Sequence, residues 1–222
     1  MPPSLEIGLL WLGFGASHVL LSSHALRPRI VARIGDRAFQ GLYSLVALLF
    51  FVPLVWVYLD HRHEGPWLWI VSMTPGVLWL VYALMTVGVL LVVAGLGSPS
   101  PTSLLAGPGP VEVRGIHRIT RHPLIMGFGW IGLVHLVPNA SLIDLLFFAG
   151  LPVFAIVGCR HQERRQRATR GPELAAYLEA TPFLPFAGPG RVRGLRELPA
   201  GVWAVGVALS VALRALHGPL FH

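Results

Sequence analysis

Charge is what this chain lacks most. Only 12% of its 222 residues are Asp, Glu, Lys or Arg, about half the share a soluble domain of this length carries. With 54% of the residues hydrophobic, water could not solvate the remaining surface, so most of the chain must face lipid or pack within it. Lysine is absent: all 17 basic residues are arginine. Cys159 is the only cysteine, which excludes an internal disulfide and a cysteine-built zinc site. There is no internal repeat and no phosphate-cradling glycine loop. A formal net charge of +7 would suit nucleic acid, but the arginines lie between apolar runs rather than along one soluble face. That is a signature of membrane topology, and no nucleic-acid partner is expected.

What is present is a series of apolar runs, at Leu5–Ser23, Ala38–Leu59, Pro75–Gly95, Pro123–Pro138, Leu142–Cys159 and Leu198–Leu216. A span needs about 20 residues, so the fourth and fifth are short. With only Asn139-Ala140-Ser141 between them, these two are expected to form a tight antiparallel hairpin. The third run is read as starting as early as Trp67-Leu68-Trp69, an interfacial aromatic anchor ahead of the break at Pro75-Gly76. The opening, Met1-Pro2-Pro3-Ser4-Leu5-Glu6, has no basic region of the signal-peptide kind, so the first run is expected to be a retained helix. The fold expected is all-α: one polytopic membrane bundle over residues 1–222, with about six spans.

Arginine orients that bundle. Four arginines lie in the first loop (27, 29, 33, 37), three in the third (114, 118, 121) and eight in the fifth (160, 164, 165, 167, 170, 191, 193, 196), against Arg62 and Arg214 on the other side. By the positive-inside rule both termini lie outside, with loops one, three and five in the cytoplasm of a bacterial inner membrane. Gly97–Pro110, rich in Gly, Pro and Ser, is expected to be irregular. Within a basic segment spanning 160–197, Cys159–Glu179 is expected to hold an amphipathic surface helix against lipid phosphates.

Ionisable groups inside a span are costly and mark function. His18 lies in the first run, about 10 Å from its basic end, flanked on its helix face by Gly15 and Ser22. His135 lies in the fourth, which Gly127, Gly129 and Gly132 keep thin. Either alone is more often a histidine hydrogen-bonded across helices. Two, each beside small residues, point to a shared ligand, and neutral imidazole suits haem iron, zinc or copper. No third ligand completes a zinc set, since Asp144 sits near the opposite mouth, so a haem between axial histidines suits the pair best. Their depths differ by about 8–10 Å for straight helices. His122, in Arg118-Ile119-Thr120-Arg121-His122-Pro123, precedes a proline suited to a helix's first turn, where unpaired amides favour an anion. At 100° per residue His122 and His135 point about 220° apart and would not share one ion.

Ser17-His18, Leu26-Arg27-Pro28 and Ile34-Gly35-Asp36-Arg37-Ala38-Phe39 resemble the opening of the NnrU family. Within it the likeness is to the 15-cis-zeta-carotene isomerases. It continues through Tyr58-Leu59-Asp60-His61-Arg62 and Gly65-Pro66-Trp67-Leu68-Trp69. It is strongest over Gly115-Ile116-His117-Arg118-Ile119-Thr120-Arg121-His122-Pro123, then reaches Val134-His135-Leu136, Val137-Pro138-Asn139 and Thr181-Pro182-Phe183-Leu184-Pro185-Phe186. The resemblance implies a haem b-containing membrane isomerase that converts a central 15-cis bond of a cis-carotene to trans. It places the haem-ligand histidines, the metal-binding and catalytic residues, on His18 and His135, with Arg121 and His122 towards the cofactor. Another branch of the family is tied genetically to denitrification and implies a non-enzymatic haem protein.

Arg121-His122-Pro123 is also shared with S-adenosylmethionine-dependent membrane methyltransferases such as isoprenylcysteine carboxyl methyltransferase. Gln162-Glu163-Arg164-Arg165, Tyr177 and Pro182-Phe183-Leu184-Pro185-Phe186 resemble their cofactor segment. The sequence departs from that pattern at Ile125, at Gln162 and at Pro172.

Overall fold

The structure is a computed structural model that describes residues 1–103, 112–167 and 171–221. Nine helices occur among them: α1 (Pro3–Leu21), α2 (Arg27–Ile34), α3 (Asp36–His61), α4 (Pro75–Gly97), α5 (Pro123–His135), α6 (Leu142–Arg167), α7 (Gly171–Ala180), α8 (Arg191–Arg196) and α9 (Ala200–Phe221). Five of these segments, within α1, α3, α4, α6 and α9, are long and apolar enough to cross a bilayer. The exposed leucines, valines and tryptophans along them, among them Leu45, Leu49, Trp56 and Trp79, are what lipid-facing helix surfaces require.

The fourth apolar run is shorter than expected. Helix α5 has 13 residues, about 20 Å at 1.5 Å per residue, against a hydrocarbon core of about 30 Å. It begins at Pro123, whose missing N–H costs nothing at a first turn, and ends at His135 because the chain turns into a strand. Leu136 to Pro138 lead into β2 (Asn139–Ser141), which pairs antiparallel with β1 (Trp67–Ile70). The tryptophan segment is therefore an exposed edge strand, not an early start to the third helix. Helix α4 starts at Pro75, with the Thr74 hydroxyl accepting from the Val77 amide. The Trp69 indole donates to the Leu136 carbonyl at 2.8 Å, so the strand pair closes one end of the bundle. Buried Asp144 secures that end, accepting from the Ser141 amide and hydroxyl at 3.1 and 2.9 Å and from Tyr58 at 3.2 Å.

Neighbouring helices run in the order α3, α1, α6, α5, α4, α9, so α6 stands between α1 and α5. Trp11 and Phe14 of α1 meet Phe147 and Phe154 of α6, whereas α5 packs on Phe148, Leu151, Pro152 and Ala155. The glycines of α5 serve that packing. A Cβ at Gly132 would stand 2.6 Å from the Phe148 carbonyl oxygen, and one at Gly127 2.9 Å from the Val92 amide nitrogen. Gly15, beside His18, has nothing within 4 Å. Gly132→Ala is expected to cost about 1–3 kcal/mol through overpacking against backbone and to lower the detergent melting temperature, while Gly15→Ala leaves it unchanged. Equal melting of the two variants would contradict close helix approach as the role of the α5 glycines.

The arginine-rich segment also differs from expectation. No separate surface helix starts near Cys159. Instead α6 continues unbroken to Arg167, and its last turns carry Arg164, Arg165 and Arg167. Helix α7 buries Leu174, Tyr177 and Leu178. The expected irregular loop over Gly97–Pro110 is described only as far as Ser103, where Ser100 and Thr102 are buried; the rest of it lies outside the described residues.

Candidate functional site

At the arginine-rich end, the segment before α5 is held by reciprocal bonds. The Arg121 amide donates to the Pro182 carbonyl at 2.9 Å and the Phe186 amide to the Ile119 carbonyl at 3.0 Å. Thr120 Oγ1 donates to the Phe183 carbonyl at 2.8 Å. The Arg121 guanidinium grips Glu163 with two nitrogens, Nε at 2.5 Å and Nη2 at 3.1 Å. Its Nη1 donates to the Leu178 and Thr181 carbonyls. Buried His122 donates from Nε2 to the same carboxylate at 2.7 Å. One carboxylate on α6 thus holds the entry to α5 and, through Arg121, the end of α7. Of the four residues that the methyltransferase likeness would lend to S-adenosylmethionine, Arg121, His122, Glu163 and Arg164, the first three are engaged with one another.

Beside this network the 3₁₀ turn Gly115–Arg118 carries His117, which is buried. Its Nδ1 accepts from the Tyr177 hydroxyl at 2.8 Å and its Nε2 lies 3.2 Å from Ser98 Oγ. Burial, with His122 and Arg114 nearby, pulls its pKa down from 6.5 to about 4. The folded state therefore resists a proton that the unfolded chain accepts below pH 6.5. Stability contributed by this group is complete above pH 6.5 and is lost as pH falls towards 4, by up to about 3 kcal/mol. Melting temperature should decline across that window, and His117→Gln should flatten the decline. An unchanged slope in the variant would remove His117 as its cause. Half-buried Glu197 behaves differently: the Gly115 amide, then Arg118 and Arg193, hold its carboxyl at about 2.

A cavity of about 280 Å³ opens on the other side of the Arg121 network, between α1, α3, α5 and α6. Val19, Leu124, Ile125 and Phe154 line its apolar part, and His18 projects into it. Three aromatic rings hold that imidazole: Phe14 at 4.2 Å, Tyr43 at 4.9 Å and Phe154 at 5.0 Å between centroids. His122 reaches the wall as well. His135 does not. Its ring lies parallel to Phe148 at 4.3 Å, near the strand-paired end, and 6.4 Å from that of His217. Phe148 and Phe154 are six residues apart on α6, about 9 Å along its axis. The structure thus brings His18 and His122 to one cavity and leaves His135 outside it.

The two histidines nevertheless share the chemistry of a haem ligand. His18 Nδ1 lies 2.8 Å from the Phe14 carbonyl, and His135 Nδ1 2.8 Å from that of Ile131, each four residues back on its own helix. A carbonyl there selects the Nδ1–H tautomer and leaves Nε2 as a lone-pair donor. Each imidazole by itself presents a nitrogen of the kind an iron takes, but α6 stands between α1 and α5 and the two rings do not face one site. No cluster of three or more His, Cys, Asp or Glu suited to a metal ion occurs among the described residues.

Several cavity residues escape sequence reasoning. Tyr43 and Phe154 are ordinary span residues until α3 and α6 are placed side by side. Arg27 and Arg165 read as topology signals, and nothing in the sequence pattern singles out His161. Ser22 was visible only as a small neighbour of His18, yet its hydroxyl lies 3.1 Å from His161 Nε2.

A family model described as NnrU protein matches residues 6–222. The chain is 26% identical to the chloroplastic 15-cis-zeta-carotene isomerase of Arabidopsis thaliana over 191 residues, 83% of this chain and 50% of that protein. It is 24% identical to the enzyme of the same name from Zea mays over 197 residues, 86% of this chain and 51% of that one. It therefore spans about half the length of these curated relatives. No solved structure matches.

Proposed function

We propose that this chain, which belongs to the NnrU family, is a membrane isomerase that turns a central cis double bond of an apolar polyene, a cis-carotene, to trans. The observation that carries the reading is the cavity between α1, α3, α5 and α6, with an apolar wall and the imidazole of His18 projecting into it. A long hydrocarbon dissolved in the bilayer reaches such a slot without crossing water, and burial there costs it no hydration. Phe154, Leu124 and Ile125 exclude water and hold the chain of double bonds in one pose. The names of the two plant relatives support the choice of substrate class.

The haem b implied by the family resemblance belongs to this proposal. When bound, it supplies a metal centre able to withdraw electron density from a polyene and so weaken the bond that rotates. His18 would hold it through Nε2, kept in one tautomer by the Phe14 carbonyl; His135, presented in the same way, lies outside this cavity and would reach the same iron only if α1 and α5 approached around α6. Arg121 and His122 shape the entry to α5 rather than touch substrate, because Glu163 occupies both. The arginine-rich end faces the cytoplasm of a bacterial inner membrane, α5 is a short sixth span, and both termini lie outside.

Expression in cells that accumulate a 15-cis carotene tests the reading. The expected result is conversion to the isomer with a trans central bond. A folded, membrane-inserted chain that leaves the cis isomer unchanged would refute it.

A further inference from the structure

Helix α2 occupies the first arginine loop, between the spans within α1 and α3, and packs on α3. Its eight residues are two-faced. At 100° per residue, Ile30, Val31 and Ile34 fall within a sector of about 100°, while Arg29 and Arg33 stand about 40° apart outside it. None of its residues is buried. Ile30 and Val31 are half-buried, and Ile34 and both arginines are exposed.

The connections on either side fix what this helix faces. One span ends at Leu21 and the next begins at Asp36, with Gly35 alone between α2 and α3. The φ of Gly35, +82°, is open to glycine and lets the chain turn sharply there. Its N–H still donates to the Val31 carbonyl at 2.8 Å, and its own carbonyl accepts from the Phe39 N–H at 3.0 Å. Both helices therefore keep their end bonds across the turn. A helix about 12 Å long, tied at each end to a span, is held at the membrane surface. Charge then selects the kind of surface. No aspartate or glutamate occurs between Ser22 and Gly35. Arg27 is committed to the protein, 3.0 Å from Asp36 and 5.5 Å above the Phe39 ring. Among the described residues the exposed side chains of Arg29, Arg33 and Arg37 make no hydrogen bond or ion pair. Three such charges beside an aliphatic face at headgroup depth match an anionic leaflet.

We infer that α2 is an in-plane helix that docks on anionic phospholipid at the arginine-rich end. Ile30, Val31 and Ile34 turn towards the acyl chains, and Arg29, Arg33 and Arg37 hold the headgroup phosphates. The inference is independent of the cavity and of isomerase activity.

The test uses the full-length chain with Cys159→Ala, reconstituted in nanodiscs of phosphatidylcholine and phosphatidylglycerol. A single fluorescent label is placed through Ile34→Cys or, on the exposed far side, through Ala32→Cys. The label at 34 should be shielded from aqueous iodide, and that at 32 should be open to it. Spin-labelled phosphatidylglycerol should quench the label at 34 more than spin-labelled phosphatidylcholine does, an enrichment of about fivefold for each arginine engaged. Molar salt should erase that preference. Arg29→Gln, Arg33→Gln and Arg37→Gln together should erase it too, with an unchanged melting temperature because no protein partner is lost. Equal quenching by the two lipids, or a preference that survives the triple substitution, overturns the inference. So does a fall in melting temperature in the triple variant, which would mean that the arginines serve the fold. A label at 34 as open to iodide as that at 32, or one shielded from iodide and lipid alike by protein, also overturns it.

Discussion

Glu163→Ala is expected to be the most damaging single change outside the apolar core, lowering stability by about 3–5 kcal/mol. The substitution strands two donors at once. The Arg121 guanidinium loses both bonds of its fork, and His122, 3% exposed, loses its Nε2 acceptor. Neither can turn to water, because Arg121 is also fixed by the Leu178 and Thr181 carbonyls and lies over the Phe183 ring at 5.3 Å. Arg121→Ala is expected to cost a similar amount by leaving buried Glu163 with His122 as its remaining side-chain partner. Arg121→Lys should rescue little, since an ammonium cannot reproduce the planar fork. Thermal unfolding in detergent measures all three. Melting of Arg121→Ala within a degree or two of the parent would contradict the structural role. It would return the segment to the methyltransferase reading, which binding of S-adenosylmethionine would then support.

His18→Ala is expected to abolish both isomerisation and the Soret band of protein purified after haem-sufficient expression, with the fold intact. The imidazole lines the cavity, and its loss would remove a ligand of the proposed haem and part of the wall of the proposed substrate slot. His135→Ala is expected to lose the Soret band as well, since its Nε2 is presented in the same way. One iron can take both nitrogens only if α1 and α5 approach around α6, because the rings now rest on Phe154 and Phe148 respectively. The pair of variants is therefore informative in either direction. A full haem band in His135→Ala would mean that the iron sits in the His18 cavity with a different second ligand. Protein that is colourless before any substitution, yet isomerises carotene, would remove haem from the mechanism altogether.

Most helices were legible because lipid imposes a simple rule: a segment that cannot bond its backbone to water must be helical and apolar for about 20 residues. Five runs obey it, four at nearly the boundaries read from hydropathy and one, expected to be short, in a helix that continues past Cys159 to Arg167. The fourth run did not, and the reason lies far away in the chain. A strand pairing between residues some seventy positions apart, Trp69 with Ala140 and Ile70 with Asn139, ends α5 early. Nothing in a periodicity window reports a partner that distant. Cys159–Glu179 reads as holding a surface helix, whereas α6 itself runs on through Arg160, Arg164, Arg165 and Arg167. The pattern marks where apolarity stops, not where the helix does.

The opening deficit of charge had already determined that this is a membrane bundle, that its arginines gather at one end, and that His18, His135 and the Arg121-His122 segment are the polar residues to explain. Residue type and spacing suffice for that, because the bilayer selects them one segment at a time. Which of them meet was decided only by tertiary structure. The order α3, α1, α6, α5, α4, α9 puts α6 between the two histidines and gives His122 to Glu163 across forty residues of chain. It gathers Arg27, His161 and Arg165 around the cavity that holds His18. Helix order depends on which small residues let which backbones approach, as Gly127 and Gly132 do for α4 and α6. That is a property of pairs of surfaces, which no single segment contains.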